Sequence, residues 1–155
     1  MIVVADSSPV NYLILIEEIE ILTRLYGKVV IPRTVREELL RSQAPDMVRK
    51  WVNSPPAWIE VRAPETKPDD ALSKLDAGER DAILLAAELT AEQLIVDDRE
   101  GRRLAKQRGI SVIGTLGVLK AASDLGFLDL RSVVERLQAT SFFVSPEVLS
   151  SLFKN

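Results

Sequence analysis

Two residue types are absent from the 155-residue sequence, cysteine and histidine. Without cysteine the chain cannot form disulfides, thiolate zinc sites or a cysteine nucleophile, which fits a reducing compartment such as the cytoplasm. Without histidine it cannot build a Ser–His–Asp triad or an imidazole metal site. Hydrolytic chemistry would therefore depend on carboxylates, lysines, hydroxyls or a metal ion with oxygen ligands, which suit Mg²⁺ or Mn²⁺.

Long apolar runs are absent as well. No stretch reaches the roughly 18 residues that a membrane span requires, and the opening segment Met1–Asp6 has no basic region and meets an acid at once. We therefore expect no signal peptide and no membrane contact. The net charge of −3 argues against a protein that coats nucleic acid nonspecifically. The length predicts a single domain over residues 1–155.

Short apolar, β-branched runs alternate with helical patterns along the chain. The runs predict strands over residues 2–5, 29–31, 58–61, 94–96 and 112–113. The helical patterns begin near residue 8 (continuing to Gly27), near 34, and over 46–52, the second half of 75–87, 99–108 and 116–125. Residues 64–70 are predicted to form a loop, and two C-terminal helices within about 127–155 are expected to pack on the domain. This alternation predicts an α/β fold of three layers, with a mostly parallel central sheet flanked by helices.

Two of the predicted strands end in acids. Asp6 follows the first strand, and Asp97 with Asp98 follows the fourth. Ligands of open parallel sheets bind beyond the carboxyl ends of the strands, where the strand order reverses. Each acid, taken singly, is explained equally well as a helix N-cap. Two acidic strand ends in one sheet favour a site over two caps.

Further acids lie on the predicted helices. Glu37 and Glu38 border the apolar face of the second helix, and Glu79 stands where acids favour the positive helix end. Asp81 precedes the apolar segment 82–87, which must be buried. A carboxylate on such a helix therefore requires a partner. Carboxylates that converge raise one another's pKa unless a cation neutralises them. A divalent cation bound by such acids is suited to phosphodiester hydrolysis.

Four ordered segments resemble the motifs of the PIN-domain family. They are Asp6-Ser7-Ser8-Pro9 after the first strand, Val35–Leu39 with Glu38, Gly78–Ile83 with Asp81 and its rival Glu79, and Leu94–Arg99 with Asp98 beside Asp97. Residues 101–105 and 113–119 are similar to a prokaryotic PIN-like branch that includes the VapC-type toxins. The resemblance spans residues 1 to about 126. Val96 and the doubled Asp97-Asp98 depart from the usual toxin pattern.

The resemblance implies an acidic pocket that binds Mg²⁺ or Mn²⁺ and an endoribonuclease that cleaves single-stranded RNA. It implies the catalytic acids Asp6, Glu38, Asp81 and Asp98. It implies metal ligands drawn from Asp6, Asp98, Asp81, Asp97 and Glu79. It further implies a toxin with an antitoxin protein as its partner, and a homodimer.

Substrate contacts are expected next to these acids. Arg99, Arg102 and Arg103 begin a basic helix directly after Asp98, where they could hold an RNA backbone. A solvated helix with cations near its C-terminus explains them equally well. The hydroxyls of Ser7 and Thr115 are further candidates, with helix capping as the alternative for Ser7. Two other functions stay open, a receiver-like regulatory module and a catalytically silent PIN-like binding domain.

Overall fold

The computed structural model describes residues 1–154. Within them the chain forms one five-stranded sheet, in the order β3-β2-β1-β4-β5, in which each neighbouring pair is parallel. The strands are β1 (Val3–Ala5), β2 (Val29–Pro32), β3 (Ile59–Arg62), β4 (Gln93–Ile95) and β5 (Val112–Ile113). The predicted α/β fold with a parallel central sheet is confirmed.

Helices cover both faces of this sheet. They are α1 (Ser7–Leu15), α2 (Ile21–Tyr26), α3 (Arg33–Leu39), α4 (Asp46–Asn53), α5 (Asp70–Ser73), α6 (Ala77–Glu88), α7 (Arg99–Gln107), α8 (Thr115–Asp124), α9 (Leu130–Gln138) and α10 (Pro146–Leu152). In residues 1–154, none of these helices is both long and apolar enough to cross a membrane.

Alternate residues of β1, β2, β4 and β5 enter two separate cores. Val3 and Ala5 of β1 pack with α1, α3, α8 and α9, whereas Val4 packs with α6 and α7 on the opposite face. This is the alternation that a pleated strand imposes. Because both faces are covered, β1 and β2 are apolar throughout, whereas the edge strand β3 alternates apolar and charged residues. Helix α9 adds Leu130 and Leu137 to the first core.

Two sequence predictions about helices are wrong. The helix predicted to run on to Gly27 is interrupted after Leu15, because Glu17 takes a φ of +62° and turns the chain before α2 begins. The predicted loop ends one residue early, since Asp70 begins the short helix α5. Asp69 caps that helix by accepting a hydrogen bond from the Leu72 N–H at 2.9 Å.

The strand order reverses between β1 and β4. From β1 the chain moves outward through β2 and β3 on one side, and then crosses to β4 and β5 on the other. Ala5 pairs with Ile95, and the Asp6 N–H continues the ladder by donating to the Ile95 carbonyl at 2.9 Å. The acids that follow β1 and β4 therefore lie at the switch point of the sheet, where open α/β folds bind their ligands.

Candidate active site

Asp6 is the most deeply buried acid at the switch point, with 3% of its surface exposed. It occupies the N-cap position of α1, but its side chain caps no helical N–H. Its Oδ1 atom is buried and has no hydrogen-bond partner among the described residues. A buried carboxylate oxygen without a partner is costly, so the capping interpretation does not account for this residue.

Glu38 presents a second buried oxygen to the same place. Helix α3 carries it, and its Oε2 atom also lacks a hydrogen-bond partner in the part of the chain that the structure describes. A Cβ atom added to Gly78 would lie 2.9 Å from Glu38 Oε2 and 3.5 Å from Asp6 Oδ1. The two unpartnered oxygens therefore both lie within 3.5 Å of one point beside the backbone of α6.

Glu79, the next residue of α6, belongs to the same group of acids. Burial first, and then the charges of Asp76, Asp98, Asp6 and Glu38 in that order of effect, raise its pKa to about 8. The pKa of Asp6 is likewise raised to about 7, by burial first and then by repulsion from neighbouring acids, against the lowering effect of the Ser7 backbone N–H. Each raised pKa reflects the burial of a carboxylate first and the negative charge of its neighbours second.

Asp76 joins this group although sequence reasoning missed it. It is exposed, caps α6 through the Glu79 N–H at 3.0 Å, and is the largest electrostatic cause of the raised pKa values of both Asp6 and Glu79. The Asp76–Glu79 spacing is that of a helix cap followed by an acid in the first turn, which gives the sequence no signal of a further role.

The two acids after β4 have different environments. Asp97 Oδ1 accepts from the Thr115 N–H at 2.7 Å, and its Oδ2 accepts from the hydroxyls of Thr115 at 2.7 Å and Ser8 at 2.9 Å. Asp97 therefore ties the end of β4 to the starts of α1 and α8. Asp98 is exposed and caps α7 by accepting from the Gly101 N–H at 2.8 Å.

The structure brings six acidic side chains to one side of the switch point, and we call them the acid cluster. Its members are Asp6, Glu38, Asp76, Glu79, Asp97 and Asp98.

Asp81 is placed in a hydrogen-bonded network of its own. Its Oδ2 accepts from the Thr34 hydroxyl and its Oδ1 from the Arg80 guanidinium, both at 2.9 Å. These contacts satisfy the buried carboxylate and join α3 to α6. Of the two acids that the third motif offered, Glu79 rather than Asp81 shares its electrostatic environment with Asp6.

The donor set suits a hard divalent cation. Among residues 1–154, no three acidic side chains are already close enough to form a complete cation cage. Mg²⁺, however, commonly takes only one or two protein carboxylates and keeps several waters. The two unpartnered oxygens of Asp6 and Glu38 could supply those ligands. The residues present therefore fit a divalent cation, and Glu79 and Asp97 belong to the same acid cluster.

Two open clefts border the acid cluster. One, of about 710 Å³, is lined by Ser7, Ser8, Asn11 and Glu38 among others, and we call it the Glu38 cleft. The second, of about 730 Å³, is the Asp97 cleft, whose lining includes Asp97, Arg99, Arg102, Gly114, Phe142 and Phe143. An extended ligand that lies across the acids could thus occupy a cleft on either side.

The predicted substrate-binding residues separate into three kinds of environment. Arg99 and Arg102 line the Asp97 cleft, and Ser7 lines the Glu38 cleft. Arg103 instead pairs on the helix surface with Glu100, whose Oε2 accepts from its Nε at 3.0 Å. Thr115 is fully buried, and its hydroxyl is used by Asp97, so it holds a site acid rather than facing a ligand.

Comparison with known proteins gives two matches. The family model described as DUF3368, PIN domain, matches residues 2–155. A similar solved structure is the PilT N-terminus domain protein SSO1118 from the hyperthermophilic archaeon Sulfolobus solfataricus P2. It shares 21% sequence identity at a TM-score of 0.53, over 94% of this chain and 100% of that one, a likeness of fold alone. A search of curated proteins returned no match.

Proposed function

Because this chain belongs to the PIN-domain family, we propose that it is a metal-dependent endoribonuclease that hydrolyses phosphodiester bonds of single-stranded RNA. The resemblance predicted from the sequence is confirmed at the level of this family, and the narrower likeness to VapC-type toxins stays a prediction. PIN domains are generally nucleases that use divalent cations. The receiver-like alternative is set aside by the family match.

One observation carries the proposal. Asp6 Oδ1 and Glu38 Oε2 are buried, have no hydrogen-bond partner within residues 1–154, and lie near the same point beside Gly78 at the switch point of the sheet. A fold stabilised by packing alone gains nothing from two such oxygens, because each has lost its hydration without gaining a partner. A cation that binds both would remove that cost.

Asp6 and Glu38 would hold the cation, with Glu79 and Asp97 beside them. When bound, the ion would supply a water of lowered pKa and charge compensation at phosphate. Ser8 and Thr115 keep the Asp97 carboxylate in a fixed orientation through their hydroxyls. Burial and the neighbouring acids raise the pKa of Glu79 to about 8, and a cation bound in the cluster would favour its charged form.

Asp81 takes a positioning role in this proposal. Its bonds to Thr34 and Arg80 fix α6 against α3 and so set the distance between Gly78 and Glu38. The motif Gly78–Ile83 thus contains both a residue proposed for the site, Glu79, and a residue that holds the helix in place, Asp81.

The test is cleavage of a labelled single-stranded RNA with Mg²⁺ or Mn²⁺ by the wild type and by Asp6→Asn. The control is Asp124→Asn, which changes an exposed acid paired with Lys120 on α8. We expect metal-dependent cleavage that falls about 100-fold or more in Asp6→Asn and is unchanged in the control. Cleavage that persists in Asp6→Asn would overturn the assigned site.

A wild type that binds the cation yet cleaves no RNA would identify a catalytically silent PIN-like domain. The toxin role, an antitoxin partner and a homodimer extend the proposal beyond the site. Growth arrest on expression, abolished by Asp6→Asn, would support the toxin role, and sedimentation of the purified chain would decide the oligomeric state.

A further inference from the structure

Phe143 is the most exposed large apolar side chain among the described residues, with 81% of its surface in solvent. It lies in the connection between α9 and α10, and this connection is anchored. The neighbouring Phe142 ring packs edge-to-face on Tyr12, with centroids 5.0 Å apart, and the Tyr12 hydroxyl lies 2.7 Å from Ser141 Oγ. The Phe143 ring is thus held outward by a fixed backbone.

Phe143 lines the Asp97 cleft together with two arginines. The cleft floor is formed near Gly114, where an added Cβ atom would lie 3.0 Å from Asp97 Oδ1 and 3.1 Å from Arg102 Nη1. Arg99 lines the same cleft. An open aromatic face, two guanidinium groups and one acid of the cluster therefore share a single concavity.

We propose that the Asp97 cleft is a nucleotide subsite in which one unpaired base stacks on Phe143 and its phosphate contacts Arg99 and Arg102. The inference rests on the proposed ribonuclease function, since the strand would continue from this cleft to the acid cluster. Aromatic side chains bind bases by stacking in a way that tolerates any sequence, and arginines bind the phosphates. A base within a duplex is already stacked on its neighbours, so this subsite selects single strands.

The charges and the size of the patch favour a nucleotide over a second copy of the chain. The large apolar side chains exposed at this cleft, within residues 1–154, are Phe143 and Val148. Two side chains fall far short of the roughly 800 Å² per partner that a stable dimer buries. The guanidinium groups beside the ring also match a polyanion.

Binding of a short single-stranded RNA, measured by fluorescence anisotropy, tests the subsite without cleavage. The measurement is made in EDTA and again with Ca²⁺, using Phe143→Ala, Phe143→Trp and Leu125→Ala. Leu125 is the matched control because it is 63% exposed on a different surface. Loss of one stacked base corresponds to about 5- to 150-fold in affinity.

We expect Phe143→Ala to weaken binding about tenfold, and both Phe143→Trp and Leu125→Ala to retain it. Phe143→Trp should also gain an emission component that RNA quenches, and an RNA that is abasic throughout should quench it less. Equal affinity of the wild type and Phe143→Ala under both conditions would overturn the subsite, as would a dimer that only Phe143→Ala dissociates.

Different results would contradict the subsite and the proposed function. Quenching and tenfold weaker binding without any RNA cleavage would retain the subsite and remove the nuclease. Metal-dependent cleavage with unchanged binding and rate in Phe143→Ala would retain the nuclease and remove the subsite.

Discussion

Asp6 Oδ1 and Glu38 Oε2 both lie beside Gly78, within 3.5 Å of the position that a Cβ atom would take there, and neither oxygen has a hydrogen-bond partner among residues 1–154. Asp6 follows strand β1, whereas Glu38 lies on helix α3 and Gly78 on helix α6. The contact requires a residue without a side chain at position 78, because a Cβ atom would stand 2.9 Å from Glu38 Oε2. The substitution Gly78→Ala, which places a methyl group in this space, tests the close approach.

Gly78→Ala should weaken metal binding while leaving the fold intact. The added methyl group displaces the flexible end of Glu38, and its 3.3 Å contact with Val35 Cγ2 requires only a small shift. We expect metal affinity and cleavage to fall about tenfold or more. The free energy of unfolding should change by no more than about 1 kcal/mol, since alanine favours a helix over glycine.

Gly101→Ala is the matched control for that variant. Gly101 is likewise buried in the first turn of a helix, but its added Cβ would meet Asp98 Oδ2 and Val96 Cγ2 at ordinary contact distances of 3.5 Å. Isothermal titration with Mn²⁺ and urea unfolding of both variants provide the comparison. Equal metal affinity in the two variants would contradict the assigned role of Glu38.

The buried carboxyl of Asp6 should make the metal-free protein less stable as the pH rises. Its pKa is about 7 when folded against an ordinary 3.8, so between pH 4 and 7 the folded chain retains a proton that the unfolded chain releases. The free energy of unfolding therefore falls across this window and stays low above it. The decrease is on the order of 4 kcal/mol at most, and Glu79 acts in the same direction up to about pH 8.

Asp6→Asn should flatten this decline, because it removes the titrating group, whereas Asp124→Asn should not. Added Mn²⁺ should raise the melting temperature of the wild type, and more at pH 8 than at pH 6, since the cation displaces protons. Thermal unfolding over pH 5–9 measures both effects. A wild-type stability that rises from pH 5 to pH 7 without metal would argue against the charge environment described for Asp6.

Glu79→Gln and Asp81→Asn should have opposite effects. Glu79 is held in an unfavourable acidic environment, so neutralising it should leave the metal-free protein equally or more stable while weakening metal binding. Asp81 is satisfied by Thr34 and Arg80, so its change should cost about 1–3 kcal/mol of unfolding free energy and affect metal affinity less. If Asp81→Asn loses metal binding at full stability, Asp81 and not Glu79 is the ligand.

The choice between Glu79 and Asp81 shows where the sequence stops being informative. An acid before an apolar helical segment requires a partner, and the sequence predicts this correctly for Asp81. The partner, however, is a hydroxyl from α3 together with the adjacent Arg80, a contact that depends on how two helices pack. Asp76 carries no signal of its own, because its capping bond alone explains an aspartate at that position.

The fold was predictable where burial decides it. Strands covered on both faces are apolar runs, and each of the five observed strands overlaps a predicted one within residues 1–154. The break between α1 and α2 was not predictable, because the apolar spacing continues across it and the left-handed turn falls on Glu17 rather than on a glycine. The convergence of Asp6 and Asp97 at the switch point was predictable, because the ends of neighbouring parallel strands lie at the same edge of the sheet.

Arg102→Ala should reduce the salt dependence of RNA binding, and Arg103→Ala should not. Both changes remove one positive charge from α7, so any effect of net charge is the same. Arg102 lines the Asp97 cleft, whereas Arg103 is paired with Glu100 on the exposed side of the helix. A lost phosphate contact lowers the slope of log affinity against log salt by about 0.7 for a single strand.

Anisotropy titrations between 50 and 300 mM salt, roughly the range in which such slopes are measured, separate the two variants. Equal slopes would mean that α7 contributes only a general positive field, and the path of the strand would then have to lead through the Glu38 cleft, where Arg41 offers the alternative phosphate contact.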